Sequence, residues 1–261
     1  MQITVFASSS SGNSLLVRSG DTCVLLDAGI SMRRMGTALA RLGLTWQNID
    51  GVLITHEHSD HISGLKTLLK YHSIPLYAPH TVASRVCGIS PGAVDCMRVI
   101  PVGQPFIIGQ MRITAFHTPH DTDESVGYRV EGDGVFALAT DMGCVTEEVF
   151  SGLSGADTVL IEANHEEELL LNGPYPPQLK RRILSDHGHL SNTSCAGLAR
   201  RLAENGTRRI VLGHLSKENN RPEIAERTVQ QALFGTGVEL YCAPPDGLLT
   251  VPVEGRAPCL L

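Results

Sequence analysis

The chain has 261 residues, 42% of them hydrophobic and 18% charged, which suffices for one α/β domain over residues 1–261 with a sizeable core. Its formal charge of −6 excludes wholesale electrostatic attachment to nucleic acid. It leaves room for a local basic groove, because field focusing depends on where the charges lie.

Met1 to Phe6 lacks basic residues and a long apolar segment, so it is no signal peptide, and no later run approaches a membrane span. A soluble, cytoplasmic protein without a membrane partner is expected. Cys23, Cys87, Cys96, Cys144, Cys195, Cys242 and Cys259 are odd in number and form no Cys-x-x-Cys pair. They read as reduced packing residues, neither a disulfide framework nor a zinc knuckle. Residues 2–6 alternate as a strand, Ser8 to Ser14 breaks it, and Leu15-Leu16-Val17 resumes, a hairpin by its turn chemistry. That turn is either plainly polar or lines a site and meets a phosphate through Ser11 and Asn13. Cys23 to Leu26 is a buried strand ending at Asp27, a carboxylate placed to brace a neighbouring loop. Ser31 caps a helix through about Leu42, with Arg33 and Arg34 on its outer face.

The apolar run Gly51-Val52-Leu53-Ile54 then ends in Thr55-His56-Glu57-His58-Ser59-Asp60-His61. In an extended segment side chains two apart point the same way, so His56 and His58 can grip one ion together. Asp60 and His61 follow where the chain turns into a helix running to Tyr71, and face a second direction. Imidazole and carboxylate suit zinc, manganese or iron. Four such residues in so short a stretch exceed what one ion takes from one loop, which suggests two divalent metals. His72 and His80 read as structural. Short strands over residues 97–116 lead to His117 and His120, one of which completes the first metal site.

Val135 to Thr140 is a strand tipped by Asp141, Thr158 to Ile161 one that runs into Glu162-Ala163-Asn164-His165, and Arg209 to Gly213 the last strand, delivering His214. Between them, Ser191-Asn192 sits at the N-cap of a helix over residues 193–204, where free N–H groups favour a phosphate. Gly188 permits close backbone approach, and His189 is placed to reach a phosphate oxygen or leaving group. His165 is read as either substrate-facing or structural, and His187 as an ordinary loop residue. Lys180, Arg181, Arg182, Lys217 and Arg221 together form a candidate basic track.

His-x-His-x-Asp-His after a hydrophobic strand resembles the signature of the metallo-β-lactamase superfamily. The interval from Asp141 to His214 holds a strand, two or three helices and a strand, but no inserted domain of the kind carried by ribonuclease J or the cleavage and polyadenylation nucleases. Ser11-Gly12-Asn13-Ser14, Asn164-His165-Glu166, Gly188-His189-Leu190-Ser191-Asn192 and Gly213-His214-Leu215-Ser216 resemble the YycJ/WalJ group of bacterial metal-dependent nucleases. The resemblance runs over nearly the whole chain and is weakest around residues 80–105 and after 245.

That resemblance implies a four-layer αββα sandwich of two mixed sheets, where spacing alone gives only α/β. It implies that His56, His58 and His120 hold one ion, that Asp60, His61 and His214 hold the other, and that Asp141 bridges. His120 is preferred to His117 on the family pattern, with Asp121 to orient it. A hydroxide between the ions would attack a phosphodiester, giving a 5′-to-3′ DNA exonuclease of the mismatch-repair type, with manganese favoured by the nuclease analogy. Asp60 and His189 are the catalytic candidates, and Ser11, Asn13, His165, Ser191 and Asn192 the substrate-binding ones. A glyoxalase II-like thioesterase or lactonase could use the same centre on a carbonyl. A third reading is a non-catalytic nucleic-acid-binding regulator with a structural metal site.

Overall fold

A computed structural model describes residues 1–254, so Cys259 lies outside the described residues, while the six other cysteines are free. The chain opens with the expected hairpin, β1 (Gln2–Ala7) and β2 (Ser14–Ser19), followed by β3 (Thr22–Leu26). Helix α1 (Met32–Arg41) starts at Ser31, whose hydroxyl accepts the Arg34 N–H at 3.4 Å. Next come β4 (Gly51–Leu53), α2 (Ser59–Ile62), α3 (Leu65–Tyr71), β5 (Leu76–Ala78), α4 (His80–Ile89) and β6 (Met97–Val99). The single helix expected from His61 to Tyr71 is therefore two. The break at Gly64 has a cause: its N–H donates to Ala28 O at 2.8 Å, and a Cβ there would lie 2.1 Å from Ile30 O.

The second half runs β7 (Pro105–Ile108), β8 (Met111–His117), β9 (Val126–Glu131), β10 (Val135–Ala139), α5 (Glu147–Leu153), β11 (Thr158–Glu162), α6 (Glu167–Asn172), α7 (Pro177–Ile183), α8 (Asn192–Glu204), β12 (Arg209–Gly213), α9 (Pro222–Ala232), β13 (Glu239–Cys242) and β14 (Leu249–Pro252). Four helices, not two or three, fill the interval from Asp141 to His214. The β12 strand is not the last. Two short strands follow it, both partly exposed, so neither shows the continuous apolar run that marks a buried strand.

The strands form two seven-stranded sheets, ordered β14-β1-β2-β3-β4-β5-β6 and β13-β12-β11-β10-β9-β8-β7. Each is mixed: β3 to β6 and β10 to β13 pair parallel, the rest antiparallel. Period-two alternation sends neighbouring residues into different cores. Leu25 and Val52 pack with the helices α1, α3 and α4, whereas Leu26 and Leu53 face the other sheet. On β12, Ile210 and Leu212 pack with α8 and α9, whereas Val211 joins the central core with Tyr128 and Phe136. Three apolar cores between four layers make the αββα sandwich. Among the described residues, no helix is long and apolar enough to cross a membrane.

The carboxyl ends of the parallel strands open on one rim, the usual ligand edge of an α/β sheet. Three residues just past strands there, Asp27, Asp141 and His214, adopt left-handed backbone with φ of 59°, 57° and 55°. Such conformations cost about 1–3 kcal/mol each and persist only where the surroundings over-determine them. The N-terminal loops lock against that rim: Asn13 N–H donates to Asp60 O at 2.8 Å, and a Cβ on Gly29 would lie 1.6 Å from the same oxygen. Gly29→Ala is expected to cost at least about 3 kcal/mol in urea unfolding, the upper end for overpacking, because the clash is with backbone. Parental stability in this variant would mean that the loop carrying Asp60 is not held as described.

Candidate metal centre

The β4 strand runs through Ile54 and Thr55 into His56, fully buried, and His58, half-buried, before α2 turns Asp60 and His61 inward. His120 arrives from the loop after β8. The Nε2 of His120 lies 3.3 Å from Nδ1 of His58, and its Nδ1 faces the Gly188 carbonyl at 3.2 Å. Gly188, not Asp121, therefore fixes the imidazole. Asp121 is taken up by Arg182, with an oxygen also 3.2 Å from the His120 Nε2 edge. His117, the other candidate, lies outside the cluster, exposed and paired with Glu148 and Glu124.

On the other side, His61 Nε2 sits 3.4 Å from Asp60 Oδ2 and 3.2 Å from Asp141 Oδ2, while His214 Nε2 lies 3.2 Å from Asp141 Oδ1. Asp141 thus presents one oxygen to His61 and the other to His214, and the second oxygen also lies 3.8 Å from His120 Nε2, which places the carboxylate between the two groups. The ligand atoms of His56, His58 and His120 lie within 4.8 Å of one another, as do those of Asp60, His61, Asp141 and His214.

Contacts at the back of His61 and His214 fix their tautomers. His61 Nδ1 meets Asp27 Oδ2 at 2.7 Å, and Asp27 also accepts from the Thr55 N–H at 2.9 Å and the Thr55 hydroxyl at 2.9 Å. Asp27 has the bracing role its position suggested. His214 Nδ1 faces Asn13 Oδ1 at 3.3 Å, and the His214 N–H donates to the Ser8 hydroxyl at 2.9 Å.

Electrostatics favours a cation between these groups. Burial holds His56 and His120 below the ordinary imidazole range, so both offer lone pairs. Burial likewise pulls on His61, but Asp141 and Asp27 overcome it and hold the ring well above that range. Burial pushes Asp141 up, yet His214 and His61 keep it well below the usual carboxylate range. Two buried atoms of the cluster, His56 Nε2 and Asp141 Oδ2, make no hydrogen bond within the protein. Orphaned buried acceptors are rare in folded proteins. Neutral imidazoles at His56 and His120, an ionised Asp141 and two buried atoms without a hydrogen bond in one cluster fit divalent metal binding.

The other expected residues divide. His189 stands beside the cluster, its ring 5.2 Å from His120 and stacked 5.4 Å from His214, with Nδ1 donating to Glu162 Oε1 at 2.7 Å. It forms a wall of a cavity of about 210 Å³ with Ser10, Tyr175, Arg182 and Ser216. Burial pulls His189 down, but fully buried Glu162 raises it to about 9. Ser11 is exposed on the rim.

Four of the substrate-binding candidates do not face outward. Asn13 is buried, its amide facing Ser9, His214 and, at 3.1 Å, His61 Nε2. Asn192 is fully buried and donates to Glu166 Oε2 at 3.0 Å and Asn220 Oδ1 at 3.0 Å. The Ser191 hydroxyl accepts the Ser194 N–H at 3.3 Å, closing the helix start that was to seat a phosphate. His165 is 1% exposed, and neither ring nitrogen has a partner. Gly188 does allow close approach, but of α7, since a Cβ would lie 2.2 Å from Ile183 O.

Sequence reasoning passed over Glu162, which accepts Met142 N–H at 2.9 Å and Leu190 N–H at 3.3 Å besides His189. The signal was available: a carboxylate closing the apolar run Val159-Leu160-Ile161, as Asp27 closes Cys23 to Leu26. Ser8, Asn164 and Asn220, which tie the His214 loop to its neighbours, gave no such signal.

Residues 22–215 match the model of the beta-lactamase superfamily domain, and the chain belongs to this family. The exodeoxyribonuclease WalJ of Streptococcus pneumoniae is 39% identical over 253 residues, 93% of this chain and 94% of the relative. The exodeoxyribonuclease YycJ of Bacillus anthracis is 34% identical over 245 residues, 91% of this chain and 92% of the relative. Zinc-bound PqqB from Methylobacterium extorquens shares the fold with a TM-score of 0.73 at 20% identity, over 97% of this chain and 100% of that one. Asp27→Asn should weaken metal binding at the Asp60–His61–His214 side about 10–100-fold, the usual effect of losing a ligand's hydrogen-bonded support. Calorimetric titration should show the His56–His58–His120 side little changed. Equal loss on both sides would contradict the separate bracing assigned to Asp27.

Proposed function

We propose that the chain is a metal-dependent phosphodiesterase acting on DNA, an exonuclease working 5′ to 3′, with residues 1–261 as one hydrolase domain. The observation that carries this reading is the His189–Glu162 pair beside two converging ligand groups. Extended likeness to the two exodeoxyribonucleases supports DNA as the polymer. The 5′-to-3′ polarity and a place in mismatch repair rest on the family resemblance.

His56 Nε2, His58 Nδ1 and His120 Nε2 would hold one ion, and Asp60, His61 Nε2 and His214 Nε2 the other, with Asp141 between them. Zinc or manganese suits this donor set best, and iron fits as well. When bound, divalent ions supply Lewis acidity that makes hydroxide available near neutral pH and offsets charge on phosphoryl oxygens. Asp27, Asn13 and the Gly188 carbonyl keep three imidazoles in the tautomer that turns a lone pair inward. Glu162 holds a proton on His189 Nδ1, leaving Nε2 as the nitrogen from which a second proton can pass to the leaving oxygen. With Asn13 and Asn192 buried, substrate contact falls to His189, Ser11 and the wall formed by Ser10, Tyr175 and Arg182. A thioesterase or lactonase is not favoured, because the likeness that runs over nearly the whole chain is to exodeoxyribonucleases. The complete donor set also weighs against a non-catalytic regulator.

Metal-loaded protein incubated with end-labelled duplex DNA and with a lactoylglutathione thioester should degrade the DNA, and cleavage of the thioester alone would sink the proposal. His189→Ala should lower turnover on DNA about 10²–10⁴-fold, the usual scale of acid assistance. Metal content should stay parental, and loss of an ion would make His189 a ligand instead. In Glu162→Gln the group that raises His189 is neutral, so the acid deprotonates earlier. Activity that declines at alkaline pH in the parent should then decline at lower pH. An unmoved alkaline limb would remove His189 as the acid.

A further inference from the structure

The rim around the metal centre is electrically divided. Flanking the His56–His58–His120 side is a cavity of about 270 Å³ lined by His117, Thr122, Asp123 and Glu124. Glu57 and Glu148 adjoin it through Thr122 and His117. The nearby cations Arg85 and Arg182 are paired with Asp123 and Asp121, and the carboxylates outnumber them. A phosphate chain meets carboxylates on this side.

The Asp60–His61–His214 side is the reverse. A cavity of about 360 Å³ is lined by Arg33, Arg34 and Arg41 of α1, with Phe6, Ile30 and Asp246. A second, of about 180 Å³, is lined by Lys217 and Arg221 with Ser8, Leu215 and Pro245. The two are neighbours, because the segment over residues 243–248 is pinned to the end of β1: Ser8 N–H donates to Pro244 O at 3.2 Å and Gly247 N–H to Phe6 O at 3.4 Å. Both back onto the centre, through the Ser8 hydroxyl that receives the His214 N–H and through Gly29, which packs on Asp60 next to Ile30. All five cations are exposed. Among the described residues only Arg34 has an acidic partner, the open pair with Asp246 at 2.8 Å. Exposed pairs of this kind contribute little and exchange readily for another anion. Asp246, Glu218 and Glu223 temper this face, but five cations still outnumber them. The candidate track on α7 is weaker, since Arg182 is paired and Lys180 donates to Leu171 O at 2.7 Å.

We infer that the face formed by α1, residues 215–221 and the 243–248 segment seats the DNA backbone, with Arg33, Arg41, Lys217 and Arg221 meeting successive phosphates on the approach to the metal centre. The inference rests on the phosphodiesterase reading, and predicts that DNA crosses the rim on the Asp60–His214 side and avoids the carboxylate side. None of these cations touches the reacting atoms, so they act on docking and not on the chemical step.

The test compares the parent with Arg33→Gln/Arg41→Gln, with Lys217→Gln/Arg221→Gln, and with Arg18→Gln near the far end of β2 as a control. Binding of a fluorescent duplex DNA is followed against salt, and turnover of a small chromogenic phosphodiester is measured in parallel. Each double variant should flatten the plot of log affinity against log salt by about two and weaken binding about tenfold near 0.15 M salt, as expected for two lost phosphate contacts. Turnover of the small ester, which needs no docking face, should match the parent, and Arg18→Gln should change neither quantity. Parental salt dependence in both double variants, or an equal effect of Arg18→Gln, would overturn the inference. A parent that binds DNA through this face but does not cleave it would instead count against the proposed function.

Discussion

Asp141 is 2% exposed, and its two oxygens lie 3.2 Å from His61 Nε2 and 3.2 Å from His214 Nε2. A buried carboxylate is costly unless opposite charge surrounds it. Here the surroundings are histidines from loops that follow β4, β8 and β12, elements of both sheets, so one side chain requires the two halves of the sandwich to meet at one rim. The three left-handed residues lie at this seam: Asp27 supports His61, Asp141 stands between the two groups, and His214 closes the second. Their strain is sustained by the strands behind them, whose side chains fill all three cores.

The donor set is arranged in depth. Three imidazoles of the cluster are held from behind, each by a different kind of group: a carboxylate for His61, an amide for His214, a carbonyl for His120. These supports come from β3, from the first hairpin and from the loop before α8, far apart in sequence. His189 is built on the same plan, with Glu162 behind it, but it stands to one side of the two groups and borders a cavity. That placement is the basis for proposing that His189 handles substrate, although its ring nitrogen also lies 3.9 Å from Asp141.

The candidate ligands were legible because most close an apolar strand or follow soon after one, and a cluster of histidines and carboxylates there has few structural uses. Glu162 carried the same mark after Val159-Leu160-Ile161, and was passed over because no second titratable residue beside it advertised the site. Side-chain direction was not legible. Asn13 and Asn192 occur in motif-like stretches, yet each turns into the protein and holds other loops, which depends on contacts from Ser9, Glu166 and Asn220 that no local pattern encodes. The helix break at Gly64 has the same origin, a carbonyl of Ile30 pressed against it from α1's approach. The exposed strands β13 and β14 lacked the apolar runs that announced the others.

The number of divalent ions each chain retains tests the central claim most directly. After loading with manganese or zinc and removal of excess, elemental analysis should find two ions per chain in the parent, and Asp141→Asn should reduce the occupancy of both sides, since one carboxylate serves each. A parent that never retains more than one ion under any loading would contradict an account in which Asp141 stands between two metals.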